Sequence, residues 1–418
     1  MKRNDWLYTI LPISAVSAGF SVLIPLYILS LGGNVFDVGV ALTLFNVFEV
    51  PASLFWGRLT DRLHRNKELI ILSVVGILPV FAILFFLQYV GVAEVMYGVY
   101  AFIATAASPA INIMIIGRRR DGSLPRYYSR YSMLAIFGGL IALIPGIGLT
   151  EKTLYYYLLL LLVIDVFGIF FAFKLIKPDK PVAASRAKEA KKSFALLNML
   201  SPTPFILTGI NMLKRTIKEV RLKKNRQIYL ILAAMSMFNL GLYLFNTSYI
   251  PFLNRNGIGY GGIFLINIAN SVGQLFVYGV VMFAIKRFKI KFFYRLASLI
   301  RSFGYLIAFL PVILISAYIF YFNVFAYFTA GVGYSLWNVA SSVVLYTHIR
   351  NRKEGKYIGI WIAVLGTSAI VGSFASGLLS YYVGYIETFI VAIALTIISI
   401  LIFSIENRAD PKVNDILK

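Results

Sequence analysis

Apolar segments of about 20 residues recur along the whole chain, and few folds other than a polytopic helical bundle can be built from them. The hydrocarbon core of a bilayer is about 30 Å thick, which a helix crosses in about 20 residues. Inside lipid the backbone must satisfy its own hydrogen bonds, and continuous runs of this length do so as helices. Twelve such spans are legible, at about 7–31, 37–57, 68–90, 93–116, 130–149, 153–176, 227–250, 260–285, 292–315, 318–345, 357–381 and 386–405. Composition agrees. Apolar residues make up 59% of the chain, against about 45–50% in soluble domains. The 418 residues therefore form one polytopic bundle rather than two or three soluble domains.

The net charge of +23 would suit nucleic acid if it were spread over a soluble surface, but its distribution excludes that partner. Of the 40 Lys and Arg, 37 fall in segments that twelve spans place on one side of the membrane. Lys152 and Arg255 fall on the other side, and Arg301 lies within a span. The positive-inside rule then places both termini and the long central connection in the cytoplasm, with the plasma membrane as the expected location. The chain has no cysteine, so disulfides, thiolate metal sites and cysteine nucleophiles drop out. The first apolar run is a full span followed by others, which argues against a cleavable signal peptide.

The hydrophilic break divides the chain into an N-terminal six-helix bundle (1–176), a basic cytoplasmic linker (177–226), a C-terminal six-helix bundle (227–405) and a tail (406–418). The two halves carry related marks. Ile24-Pro25-Leu26 recurs as Ile250-Pro251-Phe252, and Arg126-Tyr127 ahead of the fifth span recurs as Lys356-Tyr357 ahead of the eleventh. Near-equal offsets of 226 and 230 residues point to a duplicated unit. Within the linker, Ile206, Ile210, Leu213, Ile217 and Val220 oppose Arg215, Lys218 and Arg221 at helical spacing. That pattern fits an amphipathic helix on anionic lipid, or else a solvated tether.

Between the second and third spans, residues 57–67 read Gly-Arg-Leu-Thr-Asp-Arg-Leu-His-Arg-Asn-Lys. The pattern Gly-x-Leu-x-Asp-Arg followed by bases resembles the signature loop of the major facilitator superfamily. His64 and Asn66 stand where the family prefers Gly and a second base. The resemblance implies an all-α fold of two six-helix halves related by a pseudo-two-fold axis. It also implies that Gly57, Asp61, Arg62 and Arg65 form a cytoplasmic gate, Asp61 meeting the start of span eleven, with Arg118, Arg119 and Arg120 as possible partners. Read alone, the same loop is only a positive-inside anchor. Span five carries Gly138-Gly139 and Pro145-Gly146-Ile147-Gly148, which partly resembles the family's antiporter element with the order of Gly and Pro changed. Close packing against span eight explains it as well.

Polar stripes mark helix faces turned away from lipid. They fall on span one (Ser14, Ser17, Ser21), span four (Thr105, Ser108, Asn112), span seven (Ser236, Asn239, Tyr243, Asn246, Thr247) and span ten (Asn323, Tyr327, Tyr334, Asn338, Ser341), with Asn267, Asn270, Gln274 and Tyr278 on span eight. By the resemblance, spans one, four, seven and ten line a central cavity. Asn46, Ser108, Asn112, Asn239, Tyr243, Asn246, Asn270, Gln274, Tyr334 and Asn338 are accordingly the candidate cavity residues, with helix-to-helix hydrogen bonding as the alternative role.

Three ionisable residues lie well inside spans: Glu49, Asp165 and Arg301. A carboxylate at the depth of Glu49 is costly, so a carboxyl that gives up its proton only on wetting can couple transport to a proton gradient. Substrate contact, a neutral acid hydrogen-bonded to a neighbour, and an ion pair that locks packing are the other readings of Glu49. Asp165 reads as structural, and Arg301 as structural or reaching toward headgroups. The acid in span one and the Arg in span four usual in the family's drug exporters are missing.

No HExxH, CxxC, Walker loop or Gly-x-Ser-x-Gly element is present. The expectation is therefore a secondary active transporter of a small solute, working by alternating access with protons as the coupling ion, and not an enzyme. No cofactor, metal or nucleic acid is expected, and the chain should act as a monomer among membrane lipids. Amides, tyrosines, at most one acid and no base suit neutral, amphipathic or cationic solutes better than anions, unless Arg301 faces inward. The competing expectation is a non-transporting sensor or scaffold of the same fold, acting through 177–226.

Overall fold

The computed structural model describes residues 5–63, 65–116, 124–176, 226–284, 290–314, 318–349 and 354–405. These hold twelve helical segments able to cross a membrane: Trp6–Ser30, Val35–Thr60, Asn66–Phe86, Val90–Ile115, Arg130–Gly148, Glu151–Leu175, Gln227–Arg255, Tyr260–Val280, Lys291–Val312, Ile319–Val344, Ile360–Tyr382 and Tyr385–Ser404. Each coincides with one expected span to within a few residues. The amphipathic helix expected in the linker, the Arg118 to Arg120 cluster and the C-terminal tail lie outside the described residues.

The connection at 57–67 is less of a loop than expected. Helix Val35–Leu63 runs on through Gly57, and the next helix begins at Asn66. No proline stands between Pro51 and Asn66, so nothing interrupts the ladder, and Leu and Arg are good helix formers. Likewise the helix Ile319–Ile349 carries His348, beyond the expected end of span ten at about 345.

The pairing of helices shows the duplication directly. In the N-terminal half span one packs on five and six, two on four, and three on four and six. In the C-terminal half seven packs on eleven and twelve, eight on ten, and nine on ten and twelve, so every pair recurs six spans later. Contacts between the halves obey the same symmetry: two meets eleven and five meets eight, while two meets seven and one meets eight.

The apolar core divides by depth. One cluster joins both halves at the ends that the charge asymmetry assigns to the outside, linking Phe20, Tyr27, Phe81 and Leu143 to Phe245, Phe252, Phe264 and Phe389. Toward the other side the described residues form two separate cores. Trp6, Trp56, Ile70 and Ile115 belong to the N-terminal half, and Ile228, Phe238, Trp337 and Phe403 to the C-terminal half. Among the described residues, one core thus joins the halves at the outer ends, and each half has its own core toward the inner ends.

Glycines make the outer seal possible. A Cβ on Gly39 would lie 2.6 Å from the Cα of Gly377, so spans two and eleven touch backbone to backbone. Gly146 lies against the ring of Phe264, and Gly261 against the carbonyl of Ile147, closing five against eight. The Gly138-Gly139 pair, expected against span eight, instead faces Leu11 and Ala18 of span one. The short 3-10 turn Pro145–Gly148 carries the span-eight contact.

Helix breaks are repaired by neighbouring side chains, as lipid requires. Span four is interrupted at Thr105–Ala106 ahead of Pro109, where the Ala106 amide bonds to Ile103 rather than to Phe102. The freed Phe102 carbonyl accepts from the Trp56 indole at 2.7 Å. Tyr157 likewise donates to the Ala142 carbonyl at the end of span five, at 2.6 Å. Lys67 donates to the Phe173 carbonyl at 2.8 Å, placing a cation on the C-terminal turn of span six, where the helix dipole favours it.

Candidate functional site

Span one is flanked by spans two, four, five, six, seven and eight, yet Ser17 and Ser21 near its midpoint are exposed. The space they face therefore lies inside the bundle, at the depth where the single outer core gives way to two. Ser108 is exposed on span four, and Glu49, Asn112, Tyr243, Asn246, Asn270, Gln274, Tyr334 and Asn338 are half-buried.

Many candidate amides spend a hydrogen on packing. Asn46 donates to the Leu42 carbonyl at 2.8 Å and to Ser373 Oγ of span eleven at 3.2 Å. Asn239 reaches the Leu365 carbonyl at 2.9 Å, and Asn270 the Tyr327 carbonyl at 3.0 Å. Gln274 donates to Asn270 Oδ1 at 2.7 Å and Asn338 to the Tyr278 hydroxyl at 3.2 Å. The serines of span seven do the same: Ser236 meets Ser368 at 2.7 Å.

A second group has polar ends left over. The Glu49 carboxyl, the hydroxyls of Tyr243 and Tyr334, and Nδ2 of Asn246 make no hydrogen bond among the described residues and are not sealed from the surface. Glu49 lies within electrostatic reach of Tyr97, Tyr100, Tyr243 and Tyr334, which come from spans four, seven and ten. Convergent, unsatisfied polar groups in a partly apolar recess are what a ligand site presents.

Of the two roles expected for Arg301, the structure shows the inward, hydrogen-bonded one. Arg301 is 2% exposed and points into the C-terminal bundle, not toward headgroups. Its Nε donates to the Tyr305 hydroxyl at 2.7 Å, Nη1 to the Ala330 carbonyl at 2.5 Å and Nη2 to Asn246 Oδ1 at 3.0 Å. The guanidinium also lies 5.1 Å from the Tyr305 ring centre and 6.0 Å from that of Tyr334. A snorkelling path is closed because bulky neighbours enclose it, while carbonyl and amide acceptors inside the bundle are in reach.

Asp165 is buried in the N-terminal half, and its Oδ2 has no partner among the described residues. It is within electrostatic reach of Tyr100, and Ser17 lies near the Tyr100 hydroxyl. In the gate segment Gly57 is buried and Arg65 exposed. Asp61 and Arg62 belong to the helix Val35–Leu63, and their side chains lie outside the described residues.

Reading the sequence alone left out Tyr97 and Tyr100. Tyr97 extends the span-four stripe of Thr105, Ser108 and Asn112 by two turns, and helical spacing was the available signal. Nothing in the sequence separated the inward course of Arg301 from a lipid-facing one except its i, i+4 relation to Tyr305.

Two six-helix bundles in pseudo-symmetric contact, closed at one end around a polar recess, define a transporter-type membrane fold. The chain belongs to the Major Facilitator Superfamily, whose profile matches residues 9–353, and it is a multi-pass membrane protein of a secondary-transporter family. Solved structures share the fold. A nucleoside transporter, NupG, superposes with a TM-score of 0.69 at 11% identity, over 97% of this chain and 99% of that one. A POT family transporter in complex with a thioalcohol-conjugated peptide gives 0.71 at 12%, over 97% and 96%. A POT family transporter in complex with 5-aminolevulinic acid gives 0.68 at 13%, over 97% and 96%. No curated relative matches the sequence.

Proposed function

We propose that the chain moves a small solute across the plasma membrane by alternating access, with Glu49 carrying a coupling proton. The observation behind this reading is the coincidence of two features at one depth. Glu49, Tyr243, Tyr334 and Asn246 leave polar ends unpaired where the fused outer core divides into two inner ones. A site held between two bodies that meet at one end and part at the other is alternately exposed when those bodies rock.

Both termini and 177–226 are cytoplasmic in this proposal, so the recess opens to the cytoplasm in the conformation described. Asp61 with Arg62 and Arg65, helped by Arg118 to Arg120, would latch the inner ends when the outer ends part. In the conformation described the glycine contacts at Gly39 and Gly377 hold the outer side shut.

Purified protein reconstituted with an imposed pH gradient tests the proposal directly. Solute uptake matched by proton movement, read with a trapped pH dye, is the expected result. Solute binding with no flux under any gradient would favour a sensor, and flux indifferent to pH would remove Glu49 from the coupling role.

A further inference from the structure

We propose that the recess takes a small monocarboxylate, its anionic end against Asn246 and Tyr334 with the fixed charge of Arg301 behind them. This rests on the transport reading above and names its substrate class. It also reverses the preference for neutral or cationic solutes drawn from composition.

A guanidinium stays protonated in a protein. Arg301 is 2% exposed in the middle of span nine, where an uncompensated ion is expensive. Its partners are the Tyr305 hydroxyl, the Ala330 carbonyl and Asn246 Oδ1, all neutral. Among the described residues no carboxylate lies within ion-pair distance of it. The C-terminal wall of the recess therefore carries one positive charge that its surroundings solvate but do not neutralise.

Asn246 carries that charge to the surface of the recess. Because a guanidinium only donates, the amide must turn Oδ1 toward it, which leaves Nδ2 facing away. That Nδ2 has no partner among the described residues and is not sealed off. The hydroxyl of Tyr334, whose ring lies 6.0 Å from the guanidinium, is in the same condition. Two donors polarised by a buried cation favour an anionic acceptor. One fixed charge and so few hydrogens match a carboxylate, whereas a phosphate dianion would leave charge and lone pairs unmet.

Glu49 on the facing wall decides when the anion binds. Tyr334 is within electrostatic reach of both Glu49 and Arg301, so the two charges act on one space. With Glu49 ionised the walls cancel and an anion gains little. With Glu49 protonated the recess is positive by one, and a carboxylate balances it. Proton and anion are thus bound together, as symport of the neutral pair requires.

The full-length protein in phosphatidylcholine nanodiscs is titrated with acetate, lactate and benzoate, with their amides, and with inorganic phosphate, following thermal unfolding. At least one acid should stabilise while its amide and phosphate do not, and more strongly at acid pH. Asn246→Asp places a carboxylate against the guanidinium, so it should stay folded and lose acid binding. Tyr334→Phe should weaken that binding by about tenfold, the usual scale for a charge-assisted hydrogen bond. Equal effects of acid and amide, equal binding of phosphate, no effect of any acid, or acid binding unchanged in Asn246→Asp would each overturn the proposal. Exchange in proteoliposomes separates the two readings. Flux of a neutral or cationic solute without acid binding sinks the carboxylate and leaves transport, while acid binding without flux sinks transport and leaves the site.

Discussion

Asn46 of span two donates to Ser373 Oγ of span eleven at 3.2 Å, a hydrogen bond between the two halves one helical turn from Glu49. It therefore ties the conformation of the seam to the surroundings of the one half-buried acid in the recess. Gly39 and Gly377 close the same pair of spans farther out, and Val50 packs on Gly366 farther in.

If that bond exists only while the outer side is closed, removing it should move the conformational balance and leave each half intact. Interhelical hydrogen bonds in membranes contribute about 0.6 kcal/mol. Asn46→Ala and Ser373→Ala should then each lower the outer-closed to outer-open ratio by about threefold. The double mutant should do no more than either single one. Additive effects in a spin-label distance assay across the outer rim would show that the two residues act separately.

Gly377→Leu should be far more severe. The replacement has no room against the backbone of span two, so the outer ends should fail to close. Labels on cysteines introduced at positions 34 and 381, both of which line the outer crevice of about 340 Å³, should show a longer separation than in the parent. The absence of native cysteine makes the labelling clean. An unchanged separation would mean that spans two and eleven can close without their glycine contact.

Span number, helix order and the duplication were legible in the sequence because each rests on a local pattern: apolar length, charge asymmetry and matched offsets. The candidate site was only half legible. A polar side chain on a protected face has two outlets, the recess or the next helix, and spacing does not choose between them. Asn239 and Asn270 bond to the backbones of spans eleven and ten, whereas Asn246, on the same face as Asn239, bonds a guanidinium 55 residues away. Only tertiary contact could assign them. The same holds for Gly138, which packs on span one, and Gly146, which packs on span eight.

Trp56→Phe tests the repair of span four. A smaller aromatic ring remains but the indole N–H is lost, leaving the Phe102 carbonyl without its 2.7 Å donor. The expected cost is about 1–2 kcal/mol, the usual range for an orphaned buried acceptor. It should appear as a lower unfolding temperature in detergent. Trp56→Leu should be worse, because the edge-to-face contact with Phe55 at 4.9 Å goes as well. Parent-like stability in Trp56→Phe would mean that the break satisfies itself, for instance through water.

Glu49→Gln is the sharpest test of coupling. The carboxyl is half-buried, makes no hydrogen bond among the described residues, and faces tyrosines from three spans. An amide of the same size therefore costs little packing, and the variant should fold with parent-like stability. Only the ability to release a proton is removed. A coupled transporter so altered still exchanges solute across the membrane at equal concentrations, because rocking and binding survive. Accumulation against a gradient needs the proton to leave on one side and return on the other, so it should vanish. The pH dependence of exchange should flatten with it. Counterflow and driven uptake in the same proteoliposomes separate the two quantities. Driven uptake at the parent level, with pH dependence intact, would assign the coupling proton elsewhere, and the buried carboxyl of Asp165 would be the next to substitute.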